Sequence, residues 1–167
     1  MRFFGFTVAA ASVFALAACG GGEKQATNDN AAADTASASA SAAAPEGTAT
    51  FAPITGTIHT VRMVGDEKGY YYDPAEITVK VGDGIKYVNV SGGPHNVAFD
   101  PASLPADVRA QLAANMPNTI SELTSPMFIT PNEEYTISFG NIKPGTYVAH
   151  CTPHLAMNMK QTIKVVE

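Results

Sequence analysis

From residue 58 onward, apolar and polar side chains alternate in short runs separated by turn residues. Ile58 to Val64 is β-branched and alternates in part. Glu76-Ile77-Thr78-Val79-Lys80-Val81 alternates cleanly and sets Ile77, Val79 and Val81 on one face. Such a period of two marks a half-buried strand. Gly82-Asp83-Gly84 reads as a turn, and Ile85 to Val90 as the returning strand. Asn96 to Phe99 is short. Tyr135, Ile137 and Phe139 alternate, Asn141 to Gly145 turns, Tyr147 to Cys151 follows, and Ile163 and Val165 close the chain. Strands at this spacing, broken by Gly, Pro, Asn and Asp, predict an all-β sandwich.

One segment departs from that period. Leu104, Val108, Leu112 and Met116 recur every four residues, with Ser103 as a candidate cap and Pro105 in the first turn. The spacing predicts a short helix near residues 104–115, an excursion between strands.

Ahead of the strands the pattern disappears. Residues 1–18 carry Arg2 and then an almost wholly apolar run to Leu16, the form of an export signal, too short to span a bilayer comfortably. Residues 20–50 hold Ala, Ser, Thr, Asn, Gly and a few acids, with no aromatic or branched aliphatic side chain. Such a segment cannot offset its ordering entropy by burial and reads as a disordered tether. A flexible coil of that length reaches about 30 Å r.m.s.. Residues 51–167 then form one domain of ordinary size.

Charge narrows the function. The whole chain of 167 residues has a formal net charge of −5. From Phe51 onward, eight Lys and Arg face eleven Asp and Glu. No basic stripe is available to neutralise phosphates, so nucleic acid is not an expected partner.

The chemistry gathers near the end. Cys151-Thr152-Pro153-His154-Leu155-Ala156-Met157-Asn158-Met159 holds a thiol, an imidazole and two thioethers within nine residues. A second imidazole lies upstream in Gly93-Pro94-His95-Asn96-Val97. Each residue alone has an ordinary structural explanation. Together, one soft sulfur, two nitrogens and a weak thioether suit a blue-copper electron-transfer site. Strand parity supports the grouping. If Tyr147 and Ala149 face the core, so does Cys151, while Val148 and His150 face out. Met159 shares the inward parity of Ile163 and Val165.

Two resemblances follow from these residues. Leu16-Ala17-Ala18-Cys19 resembles the lipobox of bacterial lipoproteins; the other reading is a small-residue cleavage site with Cys19 incidental. The lipobox implies cleavage before a lipidated Cys19, hence a membrane-anchored exported protein, periplasmic or on the cell surface. It also leaves Cys151 as the single thiol of the mature domain. A lone thiol in an oxidising compartment asks for a reason, and metal ligation supplies one.

The domain itself resembles the cupredoxins, most closely their plastocyanin and pseudoazurin branch. The matching pieces are Tyr72-Asp73-Pro74-Ala75-Glu76-Ile77-Thr78-Val79-Lys80-Val81-Gly82-Asp83, then Pro94 to Asp100, then Gly145 to Met159. Pro101 to Pro126 matches poorly. The resemblance implies a Greek-key sandwich of about eight strands and one type 1 copper held by His95, Cys151 and His154, with an axial Met. Plastocyanin and pseudoazurin spacing selects Met159, and amicyanin spacing selects Met157. Met159 also fits the strand parity, which leaves Met157 for an apolar rim. Asn96 would tie the two ligand loops together through Thr152, or serve only as a turn residue.

Copper nitrite reductases and laccase-like oxidases also use cupredoxin domains, with a His beside the copper-binding Cys. His150-Cys151 matches that much. A catalytic copper needs further imidazoles, and only His59 remains beyond His95, His150 and His154. The nitrite-reductase type has a His five residues after its first copper His, where this chain has Asp100. The expectation is therefore a non-enzymatic one-electron carrier. His154 would be its exposed ligand, and Pro153, Leu155, Ala156 and Met157 a small docking patch for a donor or acceptor redox protein. A copper storage or delivery lipoprotein is the alternative with the same ligands.

Overall fold

A computed structural model describes residues 49–167. The predicted signal, Cys19 and nearly all of the tether lie outside the described residues. Eight strands form within them: β1 (Ile58–Asp66), β2 (Gly69–Asp73), β3 (Glu76–Lys80), β4 (Gly84–Asn89), β5 (Ala98–Phe99), β6 (Glu134–Ser138), β7 (Gly145–His150) and β8 (Lys160–Val166). One sheet has the order β2-β1-β4-β6 and the other β3-β8-β7-β5. β1 runs parallel to β4 and β3 parallel to β8, and the other pairs are antiparallel. The predicted all-β Greek-key sandwich is the architecture found.

One apolar cluster draws on both sheets. Val61, Met63, Ile85 and Ile137 come from the first, and Val79, Ala149, Ile163 and Val165 from the second. Alternation explains the membership. In β7 the outward Val148 separates buried Tyr147 from buried Ala149, and in β8 Gln161, Ile163 and Val165 point in at every second position. A polar tie crosses the core. The Tyr87 hydroxyl of β4 donates to Gln161 Oε1 of β8 at 2.8 Å, and Gln161 Nε2 donates to the Pro74 carbonyl at 2.9 Å. Both side chains are fully buried, so these partners spare the core an unpaired polar group.

The helical excursion is α1 (Ala106–Asn115). It starts two residues later than the sequence suggests. Pro105 sits at the cap position rather than in the first turn, and no side chain caps the helix. Ser103 instead ends a separate 3-10 turn over Pro101–Ser103, which Asp100 caps by accepting the Ala102 N–H at 3.0 Å. Val108 and Leu112 bury the inner face. At the far end, Asn115 anchors the helix. Its Nδ2 donates to the Ser138 and Gly140 carbonyls, and its Oδ1 accepts the Ala52 N–H.

One strand expectation needs correction, and one strand has no counterpart in the sequence pattern. Val81 falls in the turn after β3 and is exposed, because the strand ends at Lys80. The strand without a counterpart is β2. Its residues Tyr70-Tyr71-Tyr72 show no alternation in hydropathy, yet they pair with β1 in a hairpin whose register matches Gly65 to Tyr70 and Asp66 to Gly69.

Candidate metal centre

Cys151 is the first residue after β7, and strand parity turns it inward, fully buried. The chain then folds over itself. The His154 N–H donates to the Cys151 carbonyl at 3.2 Å, and the Met159 N–H donates to the His154 carbonyl at 3.2 Å. The Cys151 N–H donates to the Met159 carbonyl at 3.1 Å, which closes the loop. A short 3-10 turn over Leu155–Met157 and a left-handed Asn158 (φ 61°) bring the chain back into β8. Three functional side chains are thus set by one main-chain knot of nine residues.

His95 arrives from elsewhere. It pairs with Phe128, donating its N–H to the Phe128 carbonyl at 3.0 Å and accepting the Phe128 N–H at 2.8 Å. Its Nε2 lies 2.8 Å from the Ser91 carbonyl. A carbonyl carries no proton, so Nε2 must donate, and Nδ1 is left with its lone pair. That Nδ1 lies 3.8 Å from Cys151 Sγ, and His154 Nδ1 lies 3.4 Å from the same sulfur. The three donor atoms lie within 4.8 Å of one another, the one such group among the described residues.

Asn96 ties the two loops. Its Oδ1 accepts the Thr152 N–H at 2.7 Å, and its Nδ2 donates to Thr152 Oγ1 at 3.2 Å. Its own carbonyl accepts the Tyr72 hydroxyl at 2.6 Å. Asn96 is fully buried, so it is more than a turn residue.

Burial sets the protonation of the donors. It lowers His95 below the usual imidazole value, against an opposing hydrogen bond to Ser91. Burial also lowers His154, helped by the neighbouring His95. Both shifts favour the neutral imidazole, the form whose lone pair a metal needs. Burial raises the Cys151 thiol, and the N–H groups of Asn96 and His154 pull it the other way. A cation in the cluster is what would favour the thiolate here. One soft sulfur and two borderline imidazoles, buried and converging, fit copper better than a hard cation.

The two methionines separate. Met159 is fully buried, whereas Met157 is 57 % exposed. Pro153, Leu155 and Ala156 are exposed beside Met157. One expectation fails: His154 is only 7 % exposed. The Tyr70 ring covers it, with ring centroids 3.7 Å apart and planes 10° from parallel. Sequence reasoning missed Tyr70 because it missed β2. The available signal was the tyrosine run itself, since aromatic residues favour strands, followed upstream by a Gly at the end of a tight turn.

The remaining imidazoles lie outside the cluster. His59 Nε2 meets Asp83 Oδ2 at 2.8 Å. His150 is half-buried at the end of β7, where it lines an open groove of about 640 Å³ with Phe99, Val148 and Leu155.

A Greek-key sandwich with a thiol and two imidazoles converging at one end defines a copper-binding β-domain. Residues 59–166 match the family described as copper binding proteins, plastocyanin/azurin family, and the chain belongs to that family. It is 34 % identical over 107 residues to the chloroplastic plastocyanin of Physcomitrium patens, covering 64 % of this chain and 56 % of that protein. It is 30 % identical over 106 residues to the plastocyanin of Scenedesmus fuscus, covering 64 % of this chain and 97 % of the relative. The structure of oxidised plastocyanin from Dryopteris crassirhizoma matches with a TM-score of 0.52 and 33 % identity, over 65 % of this chain and all of that one. No helix of the described residues is long and apolar enough to cross a membrane.

Proposed function

We propose that this protein is a one-electron carrier, not an enzyme, exported and tethered to a membrane through lipidated Cys19. His95, Cys151 and His154 would hold the copper, with the Met159 thioether as a fourth, weaker donor. The observation that supports copper at this site is the pair of Nδ1 atoms at 3.4 and 3.8 Å from one buried sulfur, and membership of the plastocyanin/azurin family favours the carrier. Copper bound there supplies a couple between its +1 and +2 states.

The chain's own part is to keep the donors still and dry. The main-chain bonds of Cys151, His154 and Met159 fix two of the ligands and the axial residue relative to one another. The Asn96–Thr152 bonds fix the third, His95, against that loop. Such outer-shell bonds orient ligands and tune a metal. Little movement between oxidation states is what a carrier needs. Burial of Met159 supports it over the exposed Met157 as the axial residue. Pro153, Leu155, Ala156 and Met157 offer the apolar surface on which a redox protein would dock.

Film voltammetry tests the proposal. The copper-loaded protein is expected to show a reversible one-electron wave over many cycles. Loss of the wave as copper leaves on reduction would instead assign the protein to copper storage or delivery.

A further inference from the structure

The β1–β2 hairpin reaches the metal centre and touches both imidazoles through Tyr70. Gly65 of β1 pairs with Tyr70 of β2. The Gly65 N–H donates to the Ser91 carbonyl at 2.8 Å, the same oxygen that accepts His95 Nε2–H at 2.8 Å. The Ser91 hydroxyl returns a bond to the Gly65 carbonyl at 3.0 Å. Tyr70 stacks face to face on His154 and meets His95 edge-on, with centroids 6.1 Å apart and planes at 64°.

The glycine is required at this spot. A Cβ on Gly65 would lie 2.8 Å from both Tyr70 Cε1 and Gly92 Cα. Both the tyrosine ring and the Gly92 backbone would have to give way, or the Gly65 strand would have to shift from them. The absence of a side chain at 65 therefore lets one plane lie on His154 while the adjacent backbone grips His95. The hydrogen bonds that His154 makes within its own loop are main-chain ones, apart from the contact of its Nδ1 with Cys151. They fix where the residue sits, while the ring itself rests on side-chain contacts: Nδ1 at 3.4 Å from Cys151 Sγ, the edge-on ring of His95 at 4.9 Å, and the face of Tyr70. Of these the stacked phenol is the one that covers a whole face of the ring, with centroids 3.7 Å apart, and such aromatic contacts are directional.

We propose that Gly65, Tyr70 and Ser91 form a positioning device for both imidazoles: the hairpin grips His95 through its far nitrogen and holds His154 under an aromatic plate. Its bearing on copper rests on the reading of His95 and His154 as ligands; its bearing on the rings does not.

The test uses the full chain in two states. In the copper-free protein, carbon relaxation dispersion at the His154 ring reports its rotation. Tyr70→Phe is expected to stay as quiet as wild type, and Tyr70→Leu, which keeps apolar cover without a ring, to show exchange broadening. Gly65→Ala is expected to behave like Tyr70→Leu. In the copper-loaded protein, transfer of Cu(I) to a chromogenic chelator is expected to be about tenfold faster in Tyr70→Leu than in Tyr70→Phe, the low end of the loss seen when an outer-shell partner is removed. Tyr70→Thr, which suits a strand, replaces Tyr70→Leu if that variant does not fold. A His154 ring as quiet in the Leu or Thr variant as in wild type overturns the proposal. A broadened ring with unchanged copper release keeps the positioning device and counts instead against His154 as a ligand.

Discussion

Asn96→Ala removes the bond between the two ligand loops. The side chain is fully buried and makes a 2.7 Å bond to the Thr152 N–H and a 3.2 Å bond to Thr152 Oγ1. The N–H can only donate, so the amide oxygen must face it, which fixes the orientation of the group. Each neutral bond contributes about 1 kcal/mol net, and the deleted buried side chain leaves its neighbours less well packed. The copper-free variant should therefore lose about 2–3 kcal/mol to urea. The loaded variant should bind copper about ten- to a hundredfold more weakly, because the segment carrying His95 is no longer registered against the loop carrying Cys151 and His154. Thr152→Val breaks only the weaker bond and should cost about 1 kcal/mol. A double-mutant cycle between the two positions should then return a coupling of about 1 kcal/mol. The reasoning is refuted if Asn96→Ala unfolds within about 0.5 kcal/mol of wild type, the range of an ordinary surface change, and keeps its copper affinity.

Two further perturbations probe other parts of the molecule. Asp83 is nearly buried and accepts the Thr57 N–H at 2.7 Å, the Lys80 N–H at 2.9 Å and the His59 ring at 2.8 Å. Burial alone would raise its carboxyl, but Lys80, His59 and Thr57 outweigh that and hold it below its usual 3.8. A depressed folded value means stability that is present above the unfolded value and lost as pH falls through the folded one. Asp83→Asn should thus cost about 2 kcal/mol at neutral pH. Urea unfolding from neutral to strongly acidic pH should show the gap to wild type closing below 3.8, and a gap that ignores pH would count against the carboxylate's role. Leu155, 43 % exposed beside the metal centre, tests the docking patch. Leu155→Asp places like charges face to face when two copies meet there, so electron self-exchange by NMR line broadening should slow about tenfold, and an unchanged rate would remove the patch from the encounter.

Much of the centre was legible because period-two parity carries over from strand to site. Tyr147 and Ala149 point in, so Cys151 does too, and the same count places Met159 with Ile163 and Val165. The three residues from Cys151 to His154 are short enough that a single turn brings both donors together. Nothing local links residue 95 to residue 151, so His95 could be grouped with them only by donor chemistry, as the second imidazole of the set, and by the family resemblance. The hairpin was hidden for a physical reason. Tyr70, Tyr71 and Tyr72 are alike in hydropathy but differ in fate: Tyr72 is buried and bonded to Asn96, Tyr71 reaches out to Asp66, and Tyr70 lies on His154. A pattern of polar and apolar positions cannot separate them. The expected exposure of His154 failed with it, because the covering ring belongs to the unseen strand. The helix start slipped for another reason: Asp100 drew Ser103 into a turn of its own, and Pro105 took the cap.

The central claim is that Cys151 and the two imidazoles hold one copper. Its most direct test is optical titration of the purified domain with Cu(II), beside Cys151→Ala. The account predicts an intense visible charge-transfer band that saturates at one copper per chain and is absent from the variant. A protein that takes up copper without colour, or a Cys151→Ala variant that keeps the band, would contradict it.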